Sequence, residues 1–231
     1  MFCRQDNLIV TQSDHSHLSG QIAFLLGRVF GLDVTRLSGA IALHDWPHFA
    51  GAHADTIEIG KKSEEHQLAL VNRLSGEIPV NEFTEIVIRL HWQRLTEESD
   101  IDLRSEFNQK RIEQLRQSMG LDTEGAHRID RWTDVCDALA FYLSRGSESA
   151  GKEVLPDLAG EQSWSFHWTI TSDSLSIHQI RVGRADSVVH RDEALDVNPF
   201  ETELSLLAYD AENYPQKLAP QMRVIRCRLG G

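Results

Sequence analysis

The feature that most constrains the fold is a long stretch without proline. Two of the six prolines, Pro79 and Pro156, flank this stretch, and none lies between them. Because proline breaks the interior of a helix, its absence allows helices of several turns there. Apolar side chains recur at helical spacing through the same stretch. The sequence therefore predicts that this part of the chain is mainly helical.

Apolar periodicity predicts a series of helices before residue 146. In chain order they span residues 16–30, 34–46, 63–74, 81–95, 104–119 and 125–145. Ser13 or Asp14 is the expected N-cap of the first helix, since short polar side chains accept hydrogen bonds from the free backbone N–H groups there. Pro47 is expected to end the second helix. Residues 47–62 are predicted to form a loop.

The character of the sequence changes after residue 145. Residues 146–163 contain three glycines and a proline, a composition that is typical of a linker. Apolar and polar residues then alternate from Trp164 to Ile170, which predicts a strand. A turn and more strands are predicted to follow, at residues 171–174, 175–182, 186–191, 202–208 and 222–229. We therefore expect an α+β protein, with a helical domain over residues 1–148 and a β-rich subdomain over residues 149–231.

Composition excludes several classes of function. The net charge of -12 argues against a nucleic-acid-binding protein, because phosphate recognition relies on a basic surface. It also disfavours binding to an anionic membrane. No apolar run approaches the roughly 18 residues that a membrane span needs, and the first residues do not resemble a signal peptide. With three widely spaced cysteines, Cys3, Cys136 and Cys227, expected to be reduced thiols, we expect a cytoplasmic protein.

Three histidines before residue 92 are candidate metal ligands. His44 and Asp45 lie at the C-terminal end of the second predicted helix, and imidazole with carboxylate binds divalent transition metals well. His15 lies in the first turn of the first helix. His91 lies three and four residues after Ile88 and Val87, so its side chain is expected to point to the core. A buried histidine needs a partner.

The last predicted helix of the α-helical region carries aspartates along one side. Asp130, Asp134 and Asp137 follow each other at helical spacing, and the opposite face is apolar. An aspartate beside the apolar stripe is costly unless it is paired or ligated. One of these residues is therefore a candidate fourth ligand.

The order of these residues resembles the HD-domain superfamily of metal-dependent phosphohydrolases: a histidine, a His-Asp pair and a distant aspartate, each on its own helix. More specifically, the chain is similar to a bacterial family of HD-like proteins of unknown function. The matching residues are Gln12, Asp14, His15, Leu18, Ser19 and Gly20 at the start, then His44, Asp45 and Trp46, then His91, then Asp137, Leu139 and Phe141, and finally Pro199 and Phe200. That family usually continues the His-Asp pair with an acidic residue, glycine and tryptophan, whereas this chain has Trp46, Pro47, His48 and Phe49.

The resemblance implies an HD-like helical domain that holds one or two divalent transition-metal ions, Fe, Mn, Zn or Co. It implies His15, His44, Asp45 and Asp137 as ligands of the first ion, with Asp134 as the alternative to Asp137. Some HD proteins have two further histidines that bind a second ion bridged by the Asp of the pair. His66 and His91 lie at suitable positions for this role.

The resemblance also implies a phosphohydrolase that acts on a nucleotide or another small phosphorylated molecule through a metal-activated water. Asp45, His91 and Asp14 are the expected catalytic residues, and Lys61, Lys62 and Arg94 are candidates to bind the phosphate. Two alternatives stay open at this point. One is an HD-type di-iron oxygenase, which needs the second ion, and the other is a non-catalytic metal-containing regulatory or binding module. The expected partners are a small-molecule substrate and, in a homodimer, a second copy of the chain.

Overall fold

The computed structural model describes residues 2–4, 6–49, 72–97, 106–184, 193–194, 200–211 and 220–230. The helices are α1 (Gln12–Phe30), α2 (Thr35–Ile41), α3 (Trp46–Phe49), α4 (Glu82–Glu97), α5 (Glu106–Met119) and α6 (Thr123–Arg145). The strands are β1 (Phe2–Cys3), β2 (Leu8–Val10), β3 (Ser149–Pro156), β4 (Gln162–Thr171), β5 (Ser174–Arg184), β6 (Glu193–Ala194), β7 (Phe200–Asp210) and β8 (Gln221–Leu229). The prediction of an α+β protein is confirmed. No helix in the described parts of the chain is long and apolar enough to cross a membrane.

Helix α1 begins earlier than the sequence predicts. Thr11, not Ser13 or Asp14, is the N-cap, and its side chain accepts a hydrogen bond from the backbone N–H of Asp14. The Thr11 hydroxyl also donates to the Asp14 carboxylate at 2.5 Å, which ties the first turn together. Gly31 ends the helix in the left-handed conformation, at a φ of 71°. The earlier start places Gln12 and His15 on one face of the first turn.

Helix α2 is shorter than predicted. It ends at Ile41, residues 42–45 form turns, and Trp46–Phe49 form the short helix α3. The prediction of one helix to residue 46 is therefore wrong, and so is the predicted loop over residues 47–49, while residues 50–62 of that loop lie outside the described residues. Within a helix continuing from α2, Pro47 would clash with the preceding turn, whereas in the first turn of a new helix its missing N–H costs nothing. The break leaves His44 and Asp45 in the turn between α2 and α3.

The later helices lie close to their predicted bounds. Helix α6 begins after the N-cap Asp122, whose side chain accepts from the backbone N–H of Gly125, and it ends at Gly146 in the left-handed conformation. Most of the helix predicted over residues 63–74 lies outside the described residues, as does the strand predicted over residues 186–191.

The strands form one sheet with the order β1-β2-β7-β8-β5-β4-β3, and β6 also pairs with β5. The pairs are antiparallel except for β5 and β8, which are parallel. Two features of the sheet correct the sequence prediction. Residues 149–156, expected to lie in a linker, form strand β3 paired along β4 from Ser149 to Pro156. The N-terminal strand β2, which was not predicted, pairs with the end of β7.

Helices and sheet share one apolar cluster. The Phe30 ring at the end of α1 stacks on Trp164 of β4, with 5.2 Å between ring centroids. Trp132 of α6 is fully buried, and its Nε1–H donates to the carbonyl oxygen of Pro156 at 2.7 Å. The boundary predicted near residue 148 stays a prediction, while the apolar cluster extends across it. The sheet thus supports the inner faces of α1 and α6.

Candidate metal centre

Five polar side chains converge in the helical part of the molecule. His15 comes from the first turn of α1, His44 and Asp45 from the turn after α2, His91 from α4 and Asp137 from α6. The side chains of the three histidines and Asp45 are at most 5% exposed, whereas that of Asp137 is 22% exposed. We call these five residues the His/Asp cluster. Among its members, Asp137 is the one that faces solvent.

Close packing of α1 against α2 places the first two histidines side by side. A Cβ atom added to Gly20 would lie 2.7 Å from the Cβ atom of Ala42, so only glycine allows this approach without a shift. The ring centroids of His15 and His44 are 5.6 Å apart as a result. The indole N–H of Trp92, on α4, donates to the carbonyl oxygen of His44 at 3.2 Å and so attaches the turn to α4.

One group within the cluster consists of His15, His44 and Asp137. The Oδ1 atom of Asp137 lies 2.6 Å from Nε2 of His15 and 3.3 Å from Nε2 of His44. A single carboxylate oxygen therefore meets two imidazole nitrogens.

A second group consists of His44, Asp45 and His91, and it shares His44 with the first. Nε2 of His44 is 3.5 Å from Oδ2 of Asp45, and Nε2 of His91 is 3.5 Å from Oδ1 of Asp45. The side-chain amide of Gln12 donates to Oδ2 of Asp45 at 3.0 Å. Each oxygen of the Asp45 carboxylate thus has a partner that does not belong to the first group: Gln12 at Oδ2 and His91 at Oδ1.

The outer nitrogens of two histidines face oxygen atoms. Nδ1–H of His44 donates to the carbonyl oxygen of Ile41 at 2.7 Å. Nδ1 of His15 lies 3.2 Å from the hydroxyl of Ser144, one of the buried residues of α6. Oxygen partners of this kind usually accept the proton of Nδ1 in metal-binding histidines, which leaves the Nε2 lone pair free for a metal ion.

The outer nitrogen of His91 has a different partner. Nη2 of Arg94, one helical turn further along α4, lies 3.0 Å from Nδ1 of His91. Two aspartates of α6 hold this guanidinium: its Nη1 donates to the Asp130 carboxylate, and its Nε lies 3.4 Å from Oδ1 of Asp134. Arg94 is thus fully engaged beside the cluster and is not aimed at it as a free phosphate-binding charge.

The charges within the cluster shift the pKa values of its members. Burial opposes a charge on His44, but the carboxylates of Asp45 and Asp137 outweigh this effect and raise its pKa to about 9. Burial likewise opposes the charge on Asp45 and Asp137, and the neighbouring histidines, His44 above all, lower the pKa of both carboxyls below the ordinary range. Burial and then the charge on His44 lower the pKa of His91.

The donor set fits a divalent transition metal. In each of the two groups, one ligand atom per residue can be chosen so that these atoms lie within 4.8 Å of one another. Imidazole nitrogens with carboxylate oxygens are the ligands that zinc, iron and manganese use in proteins. Such a concentration of buried polar groups is costly to maintain without a ligand or complete pairing.

The structure separates the predicted residues into three sets. His15, His44, Asp45, His91 and Asp137 come together. Asp134 and Asp14 have other partners. Asp134 pairs with Arg131 at 2.6 Å and with Arg94, and Asp14 bonds to Thr11 and Tyr209. His66, Lys61 and Lys62 lie outside the described residues.

The sequence did not reveal the supporting role of three side chains, Gln12, Ser144 and Arg94. Gln12 precedes His15 by three residues and Ser144 follows Asp137 by seven, so helical spacing alone puts each on the same face as its cluster neighbour. Arg94 follows His91 by three residues, and the sequence predicts only a phosphate-binding role for it. In each case the helical spacing to a cluster residue was the sequence feature that could have indicated this role.

Comparisons with protein-family models, with curated proteins and with solved structures find no match to this chain. The similarity to HD domains therefore depends on the residues themselves and stays a prediction.

Proposed function

We propose that the protein is a metal-dependent phosphohydrolase that acts on a small phosphorylated molecule. The observation that carries the proposal is the convergence of two imidazole Nε2 atoms and two carboxylates from α1, the turn after α2, and α6. His15, His44, Asp45 and Asp137 would hold the ion. A divalent ion in such a site lowers the pKa of a bound water towards about 7 and polarises a phosphoryl oxygen.

The chain's own residues support this chemistry by position and charge. The carboxylates of Asp45 and Asp137 keep the cluster anionic enough to retain a cation in a protein whose net charge is already -12. A metal ion at the centre would supply the positive charge that attracts a phosphate to this acidic molecule. Asp137, which is 22% exposed, marks the side from which a substrate would approach.

One experiment tests the ion and the reaction together. Protein purified without chelators is analysed for Fe, Mn, Zn and Co and is assayed against a panel of nucleotides and other phosphate esters. We expect bound metal and phosphate release in the wild type, and loss of both in Asp137→Asn. The matched control is Asp134→Asn, one turn earlier on α6, because Asp134 pairs with arginines outside the cluster.

The possible outcomes distinguish the candidate functions. Phosphate release that survives in metal-free Asp137→Asn would refute the proposal. Intact metal with no turnover on the panel would also count against it and would favour a non-catalytic module. A di-iron oxygenase is the second candidate because His44, Asp45 and His91 form a second group of possible ligands. Two tightly bound iron ions and an oxygen-dependent activity would support that candidate.

A further inference from the structure

The three histidines of the His/Asp cluster differ in what surrounds Nδ1. His44 donates from this atom to a carbonyl oxygen, and Nδ1 of His15 faces a hydroxyl group, which can accept a proton. Nδ1 of His91 instead faces the guanidinium of Arg94 at 3.0 Å, while Oδ2 of Asp137, at 3.9 Å from the same atom, is beyond hydrogen-bond distance. A guanidinium has only N–H donors and no acceptor. Nδ1 of His91 must therefore be the acceptor in this contact and carries no proton.

This contact fixes the tautomer of a neutral His91. With Nδ1 unprotonated, the ring proton is on Nε2, and Nε2 lies 3.5 Å from Oδ1 of Asp45. A protonated Nε2 has no lone pair to offer a metal ion. It does have an N–H group that can donate to the Asp45 carboxylate.

The position of Arg94 makes the opposite tautomer costly. Asp130 and Asp134 on α6 hold the guanidinium, so it cannot turn away without breaking both ion pairs. A metal-binding histidine usually donates its outer N–H to an acceptor, which increases the basicity of the ring. Arg94 is a donor, so it has the opposite effect. A cation on Nδ1 withdraws electron density from the ring instead.

We infer that His91 is not a metal ligand but a positioning residue, which donates from Nε2–H to Asp45 and so orients that carboxylate towards His44. Gln12 donates to the other oxygen of Asp45 at 3.0 Å, so the two donors hold the carboxylate from both sides. The centre is then a site for one ion, built from His15, His44, Asp45 and Asp137. The inference deepens the proposed function and rests on it for the presence of the ion, whereas the tautomer of His91 does not depend on an ion.

The tautomer is tested first, on metal-free protein with ¹⁵N-labelled histidine. Nitrogen NMR spectra distinguish a protonated from an unprotonated ring nitrogen, and single His→Gln variants assign the signals. We expect His91 to carry its proton on Nε2 in the wild type and to shift towards the Nδ1–H form in Arg94→Met. A proton on Nδ1 of His91 in the wild type would overturn the inference, whatever the protein catalyses.

Metal titration provides the second arm, with zinc as the probe. We expect one ion per chain in the wild type and in His91→Gln, because the glutamine amide keeps an N–H donor but has no imidazole lone pair. We expect His91→Leu, which leaves Asp45 without this donor, to weaken zinc binding by about 10–100-fold, as loss of an outer partner of a metal site typically does.

The outcomes of this arm are distinct from those of the hydrolysis assay. Two ions in the wild type with one lost in His91→Gln would overturn the inference while leaving the hydrolase proposal intact. Equal loss of affinity in His91→Gln and His91→Leu would also count against a donor role. If the wild type binds no zinc, the proposed function fails, and the spectra of the metal-free protein still decide the tautomer.

Discussion

A buried arginine on α4, the helix that carries His91, allows a direct test of what holds this helix in place. The side chain of Arg89 is 1% exposed, and its guanidinium bonds to Glu85 at 2.8 Å. It also donates to the carbonyl oxygens of Leu74 and Gly76 at 2.7 and 3.0 Å. Glu85 has a second cationic partner, Arg111, at 2.7 Å, whose side chain is 34% exposed. The two arginines thus share one carboxylate and differ in burial.

Replacing each arginine with methionine should give very different costs. Arg89→Met removes one partner of a buried ion pair and leaves two buried acceptors, the Leu74 carbonyl and the Asn108 side chain, without this donor, so we expect the free energy of unfolding to fall by about 3–5 kcal/mol. We expect a loss of unfolding free energy near the lower end of this range, because Arg111 still pairs with Glu85. Arg111→Met removes a partly exposed partner, and we expect a loss of less than about 1 kcal/mol.

Urea unfolding followed by tryptophan fluorescence measures both variants on one scale. The test is the difference between their midpoints at an unchanged denaturant slope. Similar costs for the two variants, or a loss below about 1 kcal/mol for Arg89→Met, would refute the claim that the buried arginine organises this region.

Three further predictions follow from single contacts. Gly27→Ala, which in an ordinary helix would stabilise by about 0.5–1 kcal/mol, should here destabilise by about 1–3 kcal/mol in urea unfolding, because the new Cβ atom would lie 2.0 Å from Cγ2 of Val34. The same change in a Val34→Ala background should cost less, because, of the Val34 atoms, only Cβ, 3.1 Å away, then stays close, and an unchanged cost there would contradict the steric argument. Arg111 and Arg89 overcome the effect of burial and lower the pKa of Glu85 below its ordinary value of 4.5, so its contribution to stability is present above that pH and is lost as pH falls. Glu85→Gln should flatten this acid dependence of the unfolding free energy, and an identical slope would contradict it. Finally, with the pKa of His44 raised to about 9 in the metal-free protein, zinc binding at pH 7.5 should release about one proton from His44. Calorimetry in buffers of different ionisation enthalpy measures this release, and heats independent of the buffer would rule it out.

The resemblance implied the set His15, His44, Asp45 and Asp137, and helical spacing added only which face of its helix a residue occupies. The prediction that His91 points to the core follows from its spacing to Val87 and Ile88, and in the structure His91 is buried. The choice between Asp134 and Asp137 could not be settled in this way. Three residues along a helix turn the side chain by most of a full revolution, so both lie near the same face. What separates them is their partners: Asp134 pairs with Arg131 on the same helix and with Arg94 on α4, whereas Asp137 meets His15 and His44.

The sheet was harder to predict than the helices, for reasons that strand β3 makes clear. Gly151 and Pro156 favour a linker by composition. In the structure, a Cβ atom at residue 151 would lie 2.7 Å from the ring of Trp168, so the glycine makes room for an aromatic side chain of the neighbouring strand. Pro156 is tolerated because β3 is the last strand of the sheet, where a missing N–H breaks no ladder. Neither reason is visible without the partner strand.

The pairing of β2 with β7 also has a consequence for how the molecule forms. Leu8 and Asp210 are register partners although about two hundred residues separate them along the chain. Contacts of such range slow folding, because a large loop must close before they contribute. During synthesis, β2 can pair with β1, but its other edge lacks a partner until β7 has emerged from the ribosome. We therefore expect slow refolding from denaturant, with the pairing of β2 and β7 as the last step. This pairing completes the sheet at the strand that leads into α1, the helix that carries His15.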